Sequence, residues 1–166
     1  MTWSPDLLII VTLTFLLAGT VKGVIGMALP TVSLGILAAT LGLKEAIVLM
    51  LVPSFVTNVW QGVIGGNFTI LIKRLWGLLA AMLLGTWFGA EALTMTDTSI
   101  LEALLGVTLI GYGIFGLLTP ELPTMKRRER WLSPIVGGAT GILAGLTGST
   151  VLPVVPYLQT LGMSRD

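Results

Sequence analysis

One stretch of the sequence, residues 19–30, combines a cation with regularly spaced glycines inside an apolar run. It contains Lys22, ends at Pro30 and has glycines spaced by four and three residues: Gly19, Gly23 and Gly26. A charged side chain is costly in lipid, and so are glycines, because they loosen a helix. Such a stretch is therefore typical of a broken or tightly packed membrane element. Lys22, Gly23 and the helix start after Gly26 would suit an anion, because free backbone N–H groups and the positive end of a helix attract negative charge. Two alternatives remain open: Lys22 extends to the membrane interface, and the glycines only pack helices.

A second stretch, residues 46–64, carries a polar stripe. Ser54, Thr57, Asn58 and Gln61 are spaced as i, i+3, i+4 and i+7, so they share one helical face within an otherwise apolar segment. Neutral hydrogen-bonding groups within lipid must face protein or water. We expect Ser54, Asn58 and Gln61 to line a substrate path; hydrogen bonding between helices is the alternative.

The glycine spacing returns near the end of the chain, at Gly141, Gly145 and Gly148. Five apolar segments separate the start of the first copy from the start of the second. Because five is odd, the second copy enters the membrane from the opposite face. Such an inverted repeat is the common architecture of secondary transporters, whose sites lie between the copies. We therefore add Gly145 and Gly148 to the candidate substrate-binding residues.

The composition limits the class of protein. The chain has 166 residues, of which 54% are hydrophobic and 10% charged, whereas a soluble domain carries roughly 25% charged residues. It has no Cys and no His, which removes thiol nucleophiles, disulfides and the usual zinc ligands. We expect an integral membrane protein without metal or cofactor, and the absence of a basic patch with aromatics argues against nucleic acid as a partner. No nucleophile–base set is present, so an enzyme is not expected.

The pattern predicts an all-α polytopic membrane protein with seven hydrophobic segments: 7–21, 27–41, 46–64, 70–90, 99–118, 134–146 and 151–161. The first and last pairs are short for full spans of about 20 residues and are either short spans or half-helices. Lys73, Arg74 and the basic cluster at 126–130 flank connections on one side, which the positive-inside rule makes cytoplasmic.

The segments predict three regions: a first transmembrane repeat at 1–118, a basic cytoplasmic loop at 119–131 and a partial second repeat at 132–166. Nothing in the sequence corresponds to the third to fifth segments of the first copy a second time. The chain is then a fragment, a natural half-molecule, or a subunit whose fold a second chain completes.

Taken together, Gly19-x-x-Lys22-Gly23-x-x-Gly26, Pro30 and the motif Pro53-Ser54-x-x-x-Asn58-x-Trp60-Gln61 resemble the sulfite exporter TauE/SafE family. The second glycine motif with Pro153 and Pro156 fits the internal duplication of that family. Met27 and Ala28 stand where family members often have further glycine. The resemblance implies a multi-pass permease of the inner membrane for a small anion such as sulfite or an organosulfonate. The alternative is a truncated membrane protein that does not transport, or a structural subunit of a larger membrane complex.

Overall fold

The computed structural model describes residues 5–25, 29–64, 66, 68–118 and 129–161. These residues form seven helices and no strand, which confirms the all-α prediction. The helices are α1 (Pro5–Ile25), α2 (Leu29–Leu41), α3 (Leu43–Ile64), α4 (Phe68–Met95), α5 (Thr98–Leu118), α6 (Glu129–Thr147) and α7 (Val154–Thr160).

Four of the helices in the described part of the chain are long and apolar enough to cross a membrane: Pro5–Val24, Leu43–Ile64, Phe68–Met95 and Thr98–Leu118. Large apolar side chains on these helices point outward, as lipid requires; Leu13 is 60% exposed and Trp87 is 74% exposed. Of the two short segments expected at the start, only α2 is short, with 13 residues. The expectation that the first segment is short is wrong, because α1 runs on past position 21 for one more turn and has 21 residues.

Three tight connections join the helices at the polar or glycine-containing positions between the apolar segments. Gly42 joins α2 to α3 with φ +93°, and Gly66 lies between α3 and α4 with φ +69°, a left-handed backbone that glycine adopts without a steric penalty. The connection between α4 and α5 holds Asp97, whose carbonyl oxygen accepts hydrogen bonds from the N–H groups of Ile100 and Leu101. Of the helices that these connections join, α2 and α3 pack against each other, whereas α4 packs mainly on α6.

Two side-chain contacts show the directions of the two copies. Lys22, near the end of α1, bonds to Asn58 in the second half of α3, so both helices end on the same side. Arg74, near the start of α4, pairs with Glu129 at the start of α6, so these helices begin on the same side. Because a short turn joins the end of α3 to the start of α4, α6 begins on the side where α1 ends. The predicted inverted repeat, in which α1 and α6 run in opposite directions, stays a prediction; this placement of the helix ends agrees with it.

The apolar core has two parts. One lies among α1, α2, α3 and α5 and includes the fully buried Leu34 and Leu37. The other joins α4 to α7 through contacts of Leu75 and Leu78 with Tyr157 and Leu161. The helices thus form a larger group around α2 and a smaller group around α6.

Helices α4 and α6 meet backbone to backbone. A Cβ atom added to Gly85 would lie 2.5 Å from the carbonyl oxygen of Gly138, and one added to Gly145 would lie 2.5 Å from the amide nitrogen of Ala90. At Gly141 the added atom would collide with the carbonyl oxygen of Met82. Glycines spaced by four residues on both helices permit this approach.

The start of α6 corrects one predicted boundary. The helix begins at Glu129, so residues 129–131 belong to it and not to the loop predicted at 119–131. Glu129 stabilises the start because a carboxylate in the first turn interacts favourably with the positive helix end. Positions 119–128, which hold most of the basic cluster, lie outside the described residues.

Candidate functional site

Lys22 lies in the last turn of α1 and is only 8% exposed. Its Nζ atom donates hydrogen bonds to Oγ1 of Thr57, at 2.9 Å, and to Oδ1 of Asn58, at 2.6 Å. These bonds use two of the three donors of the ammonium group. The structure thus joins two features that the sequence presents separately, the cation of the first glycine motif and the polar stripe of α3. We call Lys22, Thr57, Asn58 and Ser54 the lysine cluster.

The polar face of α3 is arranged to accept this cation. Thr57 donates its own hydroxyl proton to the carbonyl oxygen of Pro53, at 2.8 Å, so its oxygen is left to accept from Lys22. Asn58 presents its carbonyl oxygen to Lys22 and extends its amide nitrogen towards Oγ of Ser54, at 3.4 Å. Gln61 lies one turn beyond Asn58 on an exposed part of the same face.

The charge of Lys22 is held by neutral groups. Among the described residues, the only ion pair joins Arg74 to Glu129, and both acceptors of Lys22 are uncharged. The C-terminal end of α1 contributes a partial negative charge, worth about 0.3–1 kcal/mol for a cation in the last turn. No carboxylate among the described residues is therefore paired with Lys22.

The surface beside Lys22 is open. Gly23 is exposed, and a Cβ atom added to it or to Gly19 would meet no other atom within 4 Å. Helix α1 continues unbroken through both positions. The expectation that these glycines break or tightly pack a helix is therefore wrong for Gly19 and Gly23, because no described element lies against them. Gly26, with residues 27 and 28, lies outside the described residues.

The second glycine motif has different surroundings. Gly141 and Gly145 are buried against the backbone of α4. Gly148 ends α6 with φ +73°, and a Cβ atom added to it would lie 2.9 Å from Cγ1 of Ile47. Ile47 precedes Thr57 by ten residues on α3, which is about 15 Å along a helix. The structure therefore does not bring Gly145 and Gly148 to the lysine cluster.

A second polar group lies at the start of α6 and was not anticipated from the sequence. Nε and Nη2 of Arg74 each donate to a carboxylate oxygen of Glu129 at 2.8 Å. The hydroxyl of Tyr157 on α7 contacts Oγ of Ser133 at 2.7 Å and donates to the carbonyl oxygen of Glu129 at 3.2 Å. Helices α4, α6 and α7 are thus joined at one end, the end that the sequence predicts to be cytoplasmic.

Comparison with known proteins identifies the family of this chain. The family model described as sulfite exporter TauE/SafE matches residues 11–165. The chain belongs to this family. TauE/SafE proteins are membrane transporters of sulfite or related anions, and the apolar helices agree with a multi-pass membrane protein. Neither the comparison with curated proteins nor that with solved structures found a significant match.

Proposed function

We propose that this TauE/SafE protein is a secondary transporter that moves a small sulfur oxyanion, such as sulfite or an organosulfonate, across the inner membrane. The observation that carries the proposal is the near-complete burial of Lys22 against the neutral acceptors Thr57 and Asn58. A buried cation without a carboxylate partner is costly in a membrane protein and by default marks a functional site.

The lysine cluster supplies what an oxyanion needs when it leaves water. Lys22 provides charge and one remaining N–H donor. The hydroxyl of Ser54 and the amide of Asn58 lie next to it and are able to donate to further oxygens. The open backbone at Gly23 leaves room for a ligand on the side that α3 does not cover.

The same arrangement favours a small substrate. Thr57 and Asn58 fix Lys22 from one side, so only one side of the ammonium group is available. A sulfite or sulfonate group presents three oxygens over a few ångströms and can bridge Lys22 and the α3 stripe. The rest of an organosulfonate would extend over Gly23.

A second chain would complete this surface. Asn58 is exposed on α3 among apolar side chains, and polar groups at membrane depth require protein or a water-filled cavity around them. A second copy that covers this face would turn the open cluster into an enclosed site. The proposal therefore includes assembly with a second chain.

Flux measurements with purified protein in proteoliposomes test the transport function. We expect uptake of ³⁵S-sulfite or ³⁵S-taurine above that of protein-free vesicles, competition by unlabelled sulfite and sulfonates, and no uptake of a labelled neutral sugar. Lys44→Met, which removes an exposed cation at the start of α3, should transport normally. An absence of flux for every oxyanion tested, with the protein folded and its dimers present, would favour the non-transporting alternative.

A further inference from the structure

The segment between α6 and α7, residues 148–153, is a non-helical stretch that is largely covered by protein, although Thr150 is exposed. A Cβ atom at Gly148 would meet Ile47 of α3 and Leu34 of α2, and one at Gly111 of α5 would lie 3.3 Å from Cδ1 of Leu152. Ser149 is fully buried. Non-helical backbone at membrane depth is tolerated only where protein or a cavity surrounds it, and transporters use such breaks to bind ions.

The N–H groups at the start of this break are occupied. The N–H of Gly148 donates to the carbonyl oxygen of Ala144 at 2.8 Å. The N–H of Ser149 donates to Oγ1 of Thr147 at 3.3 Å. The first two N–H groups of the break are therefore not available to an anion.

Oxygen atoms at the same place are free. Among the described residues, Oγ of Ser149 is buried and has no hydrogen-bond partner. The carbonyl oxygen of Ala144 accepts from Gly148, whereas those of residues 145–147 have no N–H to accept from within the helix. Together the last carbonyl oxygens form the partial negative end of α6. Oγ1 of Thr147 donates to Leu143 and accepts from Ser149, and it retains a lone pair. The break therefore offers several oxygen acceptors to a cation.

The two copies of the glycine motif also differ in the charge of the side chains that they carry. With the glycines aligned, Ala144 stands where the first copy has Lys22, and Thr147 and Ser149 stand where it has Ile25 and Met27. The first copy thus carries a cation beside apolar residues, and the second carries hydroxyls without a charge.

From these observations we infer that the α6–α7 break binds a small monovalent cation, for which Na⁺ is the natural candidate, through Ser149, Thr147 and the last carbonyl oxygens of α6. All of these ligands are neutral, whereas Ca²⁺ and Mg²⁺ sites rely on carboxylates. The side chains packed against Gly148 are apolar. Given the proposed transport of an anion, the cation bound here is the coupling ion.

Thermal unfolding of the purified protein tests the site without any transport measurement. A ligand that binds only the folded state raises Tm. At a Na⁺ concentration a hundredfold above its Kd, we expect a rise of about 5–10 °C over choline at equal ionic strength. Ser149→Ala should lose this rise. Its stability in choline should match or exceed that of the parent, because an unpartnered buried hydroxyl has been removed.

Thr140→Val is the matched control. Oγ1 of Thr140 is the other buried hydroxyl without a partner among the described residues, and it lies within α6, away from the break. This variant should keep the full Na⁺ response. If Ser149→Ala does not fold, Ser149→Cys retains the side-chain volume and replaces the oxygen with a poor Na⁺ ligand.

Five results decide the inference. No Na⁺-specific rise in the parent protein, or a full rise in Ser149→Ala, would overturn the site. A rise that both serine variants lose and Thr140→Val keeps supports it. Anion flux that is insensitive to a Na⁺ gradient would overturn the coupling role and leave the transport function intact. A Na⁺ response in a protein without any anion flux would overturn the transport function and with it the coupling role.

Discussion

Substitution of Lys22 by methionine removes one charge at nearly constant side-chain volume. At a distance of about 4 Å and an effective dielectric constant near 20, a unit charge pair is worth about 4 kcal/mol. Lys22 is 8% exposed, so bulk water screens it less than a surface lysine. An anion bound at Lys22 would also contact other groups of the lysine cluster, and these contacts would offset part of the free energy of dehydration even without Lys22. We expect Lys22→Met to raise the Kd for sulfite by about 30- to 1000-fold, which corresponds to about 2–4 kcal/mol.

The substitution also removes the contacts of Lys22 that join α1 to α3, and the effect of this loss on stability has to be separated from the effect on binding. Lys22 loses two hydrogen bonds to Thr57 and Asn58, each of a class worth about 1.5–3 kcal/mol, but a buried charge is removed as well. The two changes oppose each other. Asn58→Leu, which removes one acceptor and keeps the cation, should weaken binding less than Lys22→Met does.

The assay is equilibrium binding of ³⁵S-sulfite to protein in nanodiscs, with thermal unfolding measured on the same samples. Lys44→Met serves as the control, because Lys44 is an exposed lysine in the first turn of α3. A Kd in Lys22→Met within threefold of the parent value, at unchanged Tm, would refute an anion site at the lysine cluster. Equal losses of affinity in Lys22→Met and Lys44→Met would show that only the overall charge matters.

Three further predictions concern packing and orientation. Gly141→Ala should lower the free energy of unfolding by about 1–3 kcal/mol because it forces α4 away, whereas Gly138→Ala, which meets no atom within 4 Å, should not destabilise; equal effects in a denaturation series would contradict the backbone contact. A cysteine introduced at Asp97 should react with an impermeant external reagent and one at Lys73 only after permeabilisation; the reverse result would invert the topology. Tyr157→Phe should lower the free energy of unfolding by about 1–3 kcal/mol in the same denaturation assay, because it removes the hydroxyl that bonds to polar groups of α6. An unchanged free energy of unfolding would show that α7 is held by apolar contacts alone.

The helices and their order follow from the sequence because lipid imposes one requirement on every span. An apolar run of about 20 residues must be helical in a bilayer. Hydrophobicity alone therefore locates α3, α4 and α5 to within a few residues. It failed at the start of α6, where Glu129 continues the helix into a polar stretch.

The partner of each polar side chain could not be deduced in the same way. The spacing of the α3 stripe places Asn58 on a face, but that Lys22 bonds to it depends on how α1 lies against α3. The two glycine motifs make the same point: with identical spacing, Gly19 lies on an open surface and Gly141 in a helix contact. The signal that distinguishes them is on α4, where Gly85 and Gly89 repeat the four-residue spacing of α6 and mark it as the partner.

The glycine contact between α4 and α6 also restricts how the molecule can move. From Gly137 to Gly145, about two turns of α6, the glycines leave no side chain of their own between the two backbones that could change rotamer as one helix slides past the other. A closely packed contact has few alternative arrangements, so we expect α4 and α6 to move together as one rigid body. A change that opens the protein to one membrane face and closes it to the other would then move the α4–α6 pair relative to the helices that surround Leu34 and Leu37.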